Sequence, residues 1–181
     1  MSARIIAHLL KLEGWPAFTD NPRDRGGPTK GGITLQTLRE WRHDPALGVG
    51  ALKSLPQAEA EAIYRQRYIV GPRFDHIADE LLRFQVVDAG VMSGPERATR
   101  WLQEAAGVAA DGKLGPQTIA AVNGANAHRL GIRFGAIRVR FLGDLVARTG
   151  RTPSTSDDQD VWASGWSVRA TYFLDLEAER G

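Results

Sequence analysis

The chain has 181 residues, of which 43% are hydrophobic and 24% are charged, and it contains no cysteine. This is the composition of a globular protein with one domain or two small ones, and the lack of cysteine excludes a thiol nucleophile, a cysteine zinc site and disulfide bonds. The net charge of +2 is spread evenly over both halves of the chain, which argues against a nucleic-acid partner.

Helical spacing of apolar residues dominates the chain. Residues 5–12 carry apolar side chains three and four positions apart, and Gly14 followed by Pro16 predicts the end of this first helix. Residues 18–33 are polar and rich in glycine and proline, which predicts a long loop or a short β-hairpin. Thr34 is predicted to cap a second helix.

The rest of the chain is predicted to be helical, with turns between the helices. Capping-box patterns at Ser54 and Gln57 and at Ser93 and Glu96 predict the starts of two helices. Apolar periodicity places the others at about residues 77–92, 126–148 and 166–179, with a short helix around Ile119 and Val122. The predicted fold class is therefore mainly α, with one small β excursion near residues 18–33.

Four arginines, Arg129, Arg133, Arg138 and Arg140, lie in a stretch without acidic residues. Such a run is typical of a solvated helix face, and the alternative is a surface that attracts an anionic polymer or a membrane. The longest apolar run near the start is too short to span a bilayer and is followed by no cleavage site. We therefore expect no stable membrane insertion and synthesis in the cytoplasm without a signal peptide.

Glu13 is the most informative candidate for chemistry. It follows Leu9 by four residues and Ile6 by seven, so helical geometry places it on the apolar stripe. It also lies at the C-terminal end of the helix, where the helix dipole disfavours negative charge. Both features favour the protonated acid that a glycosidase uses on its leaving oxygen. The alternative is an ordinary charged residue at a frayed helix end.

The segment after Glu13 is rich in glycine and is expected to bring two carboxylates and two hydroxyls back near the end of the first helix. Asp20 and Asp24 are candidates for the second carboxylate of a glycosidase, which activates water, and Thr29 or Thr34 could orient that water. The alternatives are turn formation for the two aspartates and helix capping for Thr34.

Other polar residues are weaker candidates. Asp88 lies on an apolar helix face, where a buried and hydrogen-bonded structural role is the favoured interpretation. The four histidines show no paired ligand spacing, so we expect neither a metal site nor a cofactor.

The segment 13–34 resembles the signature of glycoside hydrolase family 108. The resemblance is carried by Glu13-Gly, Asp20-Asn-Pro, Asp24-Arg-Gly-Gly, Thr29 and the Gly-Ile-Thr of residues 32–34, and downstream by residues 63–68, 84–88, 93–95 and 101–103. Residues 111–118 and 165–166 resemble the C-terminal peptidoglycan-binding module of that family.

This resemblance implies a lysozyme-like fold with a catalytic region at residues 1–94 and a helical peptidoglycan-binding region at 95–179. It implies an N-acetylmuramidase, of the phage-endolysin or secretion-activator type, that hydrolyses the β-1,4 bond between N-acetylmuramic acid and N-acetylglucosamine. Glu13 is then the general acid, with Asp20, Asp24, Thr29 and Thr34 as the other catalytic candidates.

Four residues are expected to bind substrate. Trp15 is a candidate sugar platform, Tyr68 could line the cleft, and the resemblance alone assigns Asp111 and Thr118 to ligand binding. The chain departs from the family at two positions. Trp15 stands where the family usually has the second glycine after its glutamate, and Gly31 stands where an aromatic residue commonly precedes Gly-Ile-Thr.

The expected partners are the glycan strands of peptidoglycan and a holin or export machinery that releases a monomeric protein to the periplasm or cell wall. Two other functions stay open. A lytic transglycosylase would form a 1,6-anhydro product with the same glutamate, and a non-catalytic wall-binding protein would release no reducing ends.

Overall fold

The computed structural model describes residues 2–20, 27–149 and 160–180. The chain forms two compact units, Met1–Gly71 and Pro72–Gly181. Both are mainly helical, as the sequence predicts, and a small antiparallel sheet lies in the first. The predicted functional division at residue 94 is a different one and stays a prediction.

Within residues 2–20 and 27–71, the first unit contains four α-helices and three strands of two residues each. They are α1 (Ser2–Leu12), β1 (Phe18–Thr19), β2 (Thr29–Lys30), β3 (Ile33–Thr34), α2 (Leu35–Arg42), α3 (Val49–Lys53) and α4 (Gln57–Arg65), followed by a π-helical turn at Gln66–Val70. The core forms where α1 packs on α4, and Ile6, Leu9, Leu38 and Ile63 are almost completely buried. The strand order is β1-β2-β3.

The second unit begins with a 3₁₀ turn at Phe74–His76, and its other elements in the described part, residues 72–149 and 160–180, are α-helices. They are α5 (Glu80–Ser93), α6 (Pro95–Ala106), α7 (Pro116–Gly124), α8 (Ala127–Thr149) and α9 (Asp160–Arg180). Helix α8 packs against α5, α6 and α9. A methyl group on Gly135 of α8 would lie 2.5 Å from Leu174 Cδ2, so α8 and α9 approach closely there.

Helix ends test the predicted capping residues. Thr34 caps α2 as predicted, because its hydroxyl accepts a hydrogen bond from Thr37 N at 3.1 Å. The two predicted capping boxes do not form. The N-cap residues of α4 and α6 are Pro56 and Gly94, and neither helix start has a side-chain cap. The Ser54 hydroxyl instead donates to Ala51 O at the end of α3, a helix that the sequence did not predict.

The arginine run on α8 divides between two environments. Arg138 is 1% exposed, so the prediction of a solvated face was wrong for this residue, whereas Arg129, Arg133 and Arg140 are exposed. The reason is Asp88, which is fully buried on α5 and accepts from Arg138 Nη2 and Arg169 Nε, each at 2.6 Å. A structural role for Asp88 is thereby confirmed.

Burial lowers the pKa of Arg138, and the charge of Asp88 opposes that shift. A buried guanidinium is tolerated only when its charge is compensated. The Asp88 carboxylate therefore holds together three helices, α5, α8 and α9.

Replacing Asp88 by asparagine is expected to lower the free energy of unfolding by about 3–5 kcal/mol, because it leaves buried guanidinium groups uncompensated. Chemical denaturation of the full chain measures this. The matched control is Glu96→Gln, which removes an exposed pair with Arg100 and should cost less than about 1 kcal/mol. Equal losses for both variants would contradict the structural role of Asp88.

Candidate active site

Glu13 follows directly after α1, at a sharp turn of the chain. Glu13 N donates to Leu9 O at 2.9 Å, Gly14 N to Lys11 O at 3.1 Å and Trp15 N to Leu10 O at 2.9 Å. This is a Schellman-type helix end, and Gly14 takes the left-handed conformation that it needs, with φ of 75°. The helix therefore ends where the sequence predicts, and the Glu13 side chain is half-buried.

The turn between β2 and β3 approaches the Glu13 carboxyl group. A methyl group added to Gly32 would lie 3.1 Å from Glu13 Oε2 and only 2.3 Å from the Tyr64 hydroxyl oxygen. Gly32 has φ of +77°, a conformation that side chains disfavour. Glu13 and Tyr64 thus lie against the same bare Cα atom, and any other residue at position 32 would separate the turn from them.

Tyr64 fixes this turn from the protein interior. Its side chain is 2% exposed, and its hydroxyl donates to Gly31 O at 3.0 Å. Tyr64 is not among the site residues predicted from the sequence. Its position on the helix four residues before Tyr68 could have indicated a role there, because residues at that spacing share a helix face.

Tyr68 lies in the same surroundings. Its ring centroid is 5.4 Å from that of Tyr64. Burial raises the pKa of the Tyr68 hydroxyl above its ordinary value of 10.0, the positive charge of Arg67 opposes the shift, and the negative charge of Glu13 adds to it. Tyr68 therefore packs beside the buried Tyr64, and its place at a sugar-binding cleft stays a prediction.

Trp15 packs on the other glycine of the turn. A methyl group on Gly31 would lie 2.5 Å from Trp15 Cε3. Lys30 Nζ is 5.0 Å from the centroid of the indole ring and donates to Lys53 O at 2.6 Å and to Leu55 O at 2.8 Å. The half-buried indole is therefore held between the lysine and the glycine turn.

The small sheet aligns three threonines next to this turn. Thr19 pairs with Thr29 and Thr29 with Thr34, so the three side chains share one face. The Thr29 hydroxyl donates to Gly27 O at 2.9 Å, and that of Thr34 is 3.0 Å from Thr37 Oγ1. Both hydroxyls thus already have partners in the protein.

Of the two candidate aspartates, Asp20 is among the described residues. Asp20 follows β1 directly and is exposed, and it makes no ion pair with any other described residue. Asp24 lies outside the described residues. In the part of the chain that is described, no group of three His, Asp or Glu side chains could hold a metal ion.

Comparison with known proteins gives two family matches and a structural one. Residues 6–94 match the family model "Glycosyl hydrolase 108", and residues 97–176 match "Predicted Peptidoglycan domain". The chain belongs to the glycosyl hydrolase 108 family. It is a glycoside hydrolase that acts on peptidoglycan, and so on the cell wall.

The structure of Brucella abortus SagA is similar over 98% of this chain and 94% of that one, with 28% sequence identity and a TM-score of 0.77. A comparison with curated proteins finds no match. No helix of residues 2–20, 27–149 and 160–180 combines the length and the apolar character that crossing a bilayer requires.

The two departures from the family pattern meet in space. An aromatic side chain at position 31 would overlap the indole of Trp15, since even a methyl group there comes within 2.5 Å. Trp15 therefore fills the space beside position 31, and the indole and the bare glycine are sterically coupled.

In the peptidoglycan-domain region, Asp111 and Thr118 come together around Gln103. Gln103 Nε2 lies 2.7 Å from Asp111 Oδ1 and 3.1 Å from Thr118 Oγ1, and Gln103 Oε1 accepts from Gly112 N at 2.8 Å. The hydrogen bond from Gln103, followed by that from Lys113 N, lowers the pKa of Asp111. Thr118 is buried and Asp111 exposed, so Gln103, whose role the sequence analysis missed, organises this loop.

Replacing Gly32 by alanine is expected to lower the free energy of unfolding by about 1–3 kcal/mol, because the new methyl group strains the backbone and displaces the Tyr64 hydroxyl. Hydrolysis of peptidoglycan should fall as well, since the same methyl group contacts Glu13. Gly50→Ala is the control, because Gly50 lies in α3 with open space around it. Thermal unfolding and release of reducing ends measure both effects, and an unchanged Gly32→Ala protein would contradict the described contact.

Proposed function

We propose that the protein is an N-acetylmuramidase that hydrolyses the β-1,4 bond between N-acetylmuramic acid and N-acetylglucosamine, with Glu13 as the general acid. The observation that carries this proposal is the half-buried Glu13 carboxyl group, which lies against Gly32 within the region that matches the glycosyl hydrolase. The close approach of Gly32 to the Glu13 carboxyl group, beside the buried Tyr64 hydroxyl, supports this choice.

In the proposed reaction, Glu13 gives its proton to the bridging oxygen while the bond from that oxygen to the anomeric carbon breaks. Positive charge then develops on the sugar ring, as in other glycosidases. A water molecule attacks the anomeric carbon and loses a proton to Asp20 or Asp24. The products are a new reducing end and a free hydroxyl on the other strand.

The polar groups around Glu13 have distinct roles in this proposal. The Gly31–Gly32 turn, held by the hydrogen bond from Tyr64, keeps the carboxyl group in one orientation, and fixed orientation is a large part of catalytic efficiency. Thr29 and Thr34 support the loop and orient the water. Trp15 and Tyr68 contact the sugar, and Asp111 and Thr118 maintain the loop of the binding region.

The biological setting belongs to the same proposal. The enzyme acts as a monomer in the periplasm or cell wall, in phage lysis or in a host secretion role. A holin or an export system brings it from the cytoplasm to its substrate.

Replacing Glu13 by glutamine is expected to lower the rate of reducing-end release from purified peptidoglycan by about 10²–10⁴-fold, because glutamine cannot donate a proton to the leaving oxygen. The melting temperature should stay nearly unchanged. Glu61→Gln on α4 is the matched control and should retain full activity.

Mass spectrometry of the products separates the possible reactions. Hydrolysis gives reducing sugars, whereas a lytic transglycosylase gives 1,6-anhydro products that are lighter by one water. Retained activity in Glu13→Gln would contradict the assignment of Glu13 as the general acid. Formation of 1,6-anhydro products would show that the reaction is that of a lytic transglycosylase and not of a muramidase.

Separate Asp20→Asn and Asp24→Asn variants identify the second carboxylate. The aspartate that accepts the proton from water is expected to lose about 10²–10⁴-fold in rate on substitution, and the other should change far less. Steady-state release of reducing ends measures both. Wild-type rates in both variants would contradict a water-activating role for either residue.

A further inference from the structure

The face of α8 that meets α6 carries a hollow that the proposed chemistry at Glu13 does not use. It has a volume of about 240 Å³ and is lined by Glu104 of α6 and by Arg133, Ala136, Ile137 and Arg140 of α8. These four residues of α8 follow one another at helical spacing and so form one stripe. The hollow lies within the region that matches the peptidoglycan domain.

The charged groups of the hollow are available for a ligand. Glu104, Arg133 and Arg140 are exposed, and within residues 2–20, 27–149 and 160–180 none of them forms an ion pair or a side-chain hydrogen bond. A second hollow of about 500 Å³, around Ser93–Arg97, differs in this respect. Its Arg100 is already bound by Glu96 at 3.0 Å and by Ala110 O.

The walls of the hollow are held in place by aromatic packing. Trp101 of α6 is 7% exposed, and its ring lies 5.0 Å from that of Phe141 and 6.4 Å from that of Phe134 on α8. The Arg97 guanidinium lies 4.8 Å from the Phe141 ring centroid. These contacts fix the spacing of the two helices, so the hollow is formed before any ligand arrives, which lowers the entropy cost of binding.

The lining combines three kinds of chemistry. Arg133 and Arg140 are two helical turns apart, roughly 10 Å along the axis, and their forked guanidinium groups suit two separate carboxylates. Ala136 and Ile137 form an apolar floor between them. The Glu104 carboxylate faces the same space and suits an amine.

We propose that this hollow binds the stem peptide of peptidoglycan, so that the second unit recognises the peptide and not only the glycan. Stem peptides carry free carboxylates, the methyl groups of alanine and, on their diamino acid, an amine. These groups match the two arginines, the apolar floor and Glu104 in turn. The choice of this ligand rests on the proposed function, because that function makes peptidoglycan the substrate. The choice does not depend on the role of Glu13.

The surface of an anionic membrane is less well matched. Arginine-rich helix faces do bind acidic lipids. A hollow with a carboxylate inside it, however, is concave where a lipid surface needs a projecting face, and Glu104 repels phosphate groups.

The test measures binding of a soluble muropeptide, a disaccharide with its tetrapeptide, to the full chain by calorimetry. The double variant Arg133→Gln/Arg140→Gln is expected to weaken binding by about ten-fold or more, because each lost guanidinium removes a charge-assisted hydrogen bond. The control Arg4→Gln/Arg129→Gln removes the same charge from exposed sites outside the hollow and should change binding by less than two-fold.

Three further probes identify which ligand chemistry is recognised. The same disaccharide without peptide, and a muropeptide with amidated carboxylates, should both bind about ten-fold more weakly than the muropeptide. The Arg133→Lys/Arg140→Lys variant should bind the muropeptide with intermediate affinity, because lysine keeps the positive charge but cannot form the bidentate hydrogen bonds of a guanidinium group. Equal binding of the peptide-free disaccharide, or equal losses in the control variant, would overturn the proposal. So would binding to phosphatidylglycerol vesicles in place of the muropeptide.

Release of reducing ends from intact peptidoglycan separates this proposal from the muramidase assignment. If the wild-type chain releases no reducing ends from intact peptidoglycan while muropeptide binding depends on Arg133 and Arg140, the muramidase assignment fails and the stem-peptide site stands. If intact peptidoglycan is cleaved and the double variant binds the muropeptide as tightly as wild type, the site alone is wrong.

Discussion

The contact between the Gly31–Gly32 turn and the end of α1 is the constraint on which the candidate site depends. Two glycines in succession let the backbone come so close that the Glu13 carboxyl group and the Tyr64 hydroxyl meet at one Cα atom. The hydrogen bond from Tyr64 to Gly31 O then secures the turn from the buried side. The Glu13 side chain therefore lies against the backbone of the small sheet, at a distance that no residue with a side chain at position 32 would permit.

This arrangement links the stability of the first unit to its chemistry. The same turn orders β2 and β3, carries Thr29 and Thr34 on neighbouring strands, and supports the indole of Trp15. Trp15 is held in turn by Lys30, which donates to two backbone carbonyls near the end of α3. A change at either glycine is thus expected to affect the Glu13 side chain, the indole of Trp15 and the pairing of the strands together.

Helix α8 places arginines of its two faces in different surroundings. Its inner face contributes Arg138 to the buried group around Asp88, where the charge is compensated and unavailable to a ligand. Its face towards α6 contributes Arg133 and Arg140, which are exposed beside an apolar floor. Arg138 and Arg140, two positions apart in the sequence, therefore lie in opposite environments because helical geometry turns them to different sides.

The sequence by itself determined the mainly α architecture, the end of α1 at Gly14, the cap at Thr34 and the burial of Asp88, because each depends on periodicity or on neighbours a few residues away. It also made Glu13 a candidate for the catalytic acid, because Glu13 lies on an apolar stripe at the C-terminal end of a helix. Only the tertiary structure decided that Tyr64 lies at Glu13, that Trp15 covers Gly31 and that Arg138 turns inward. Those contacts join residues far apart in the chain, and their partners are set by packing between elements, which local patterns do not encode.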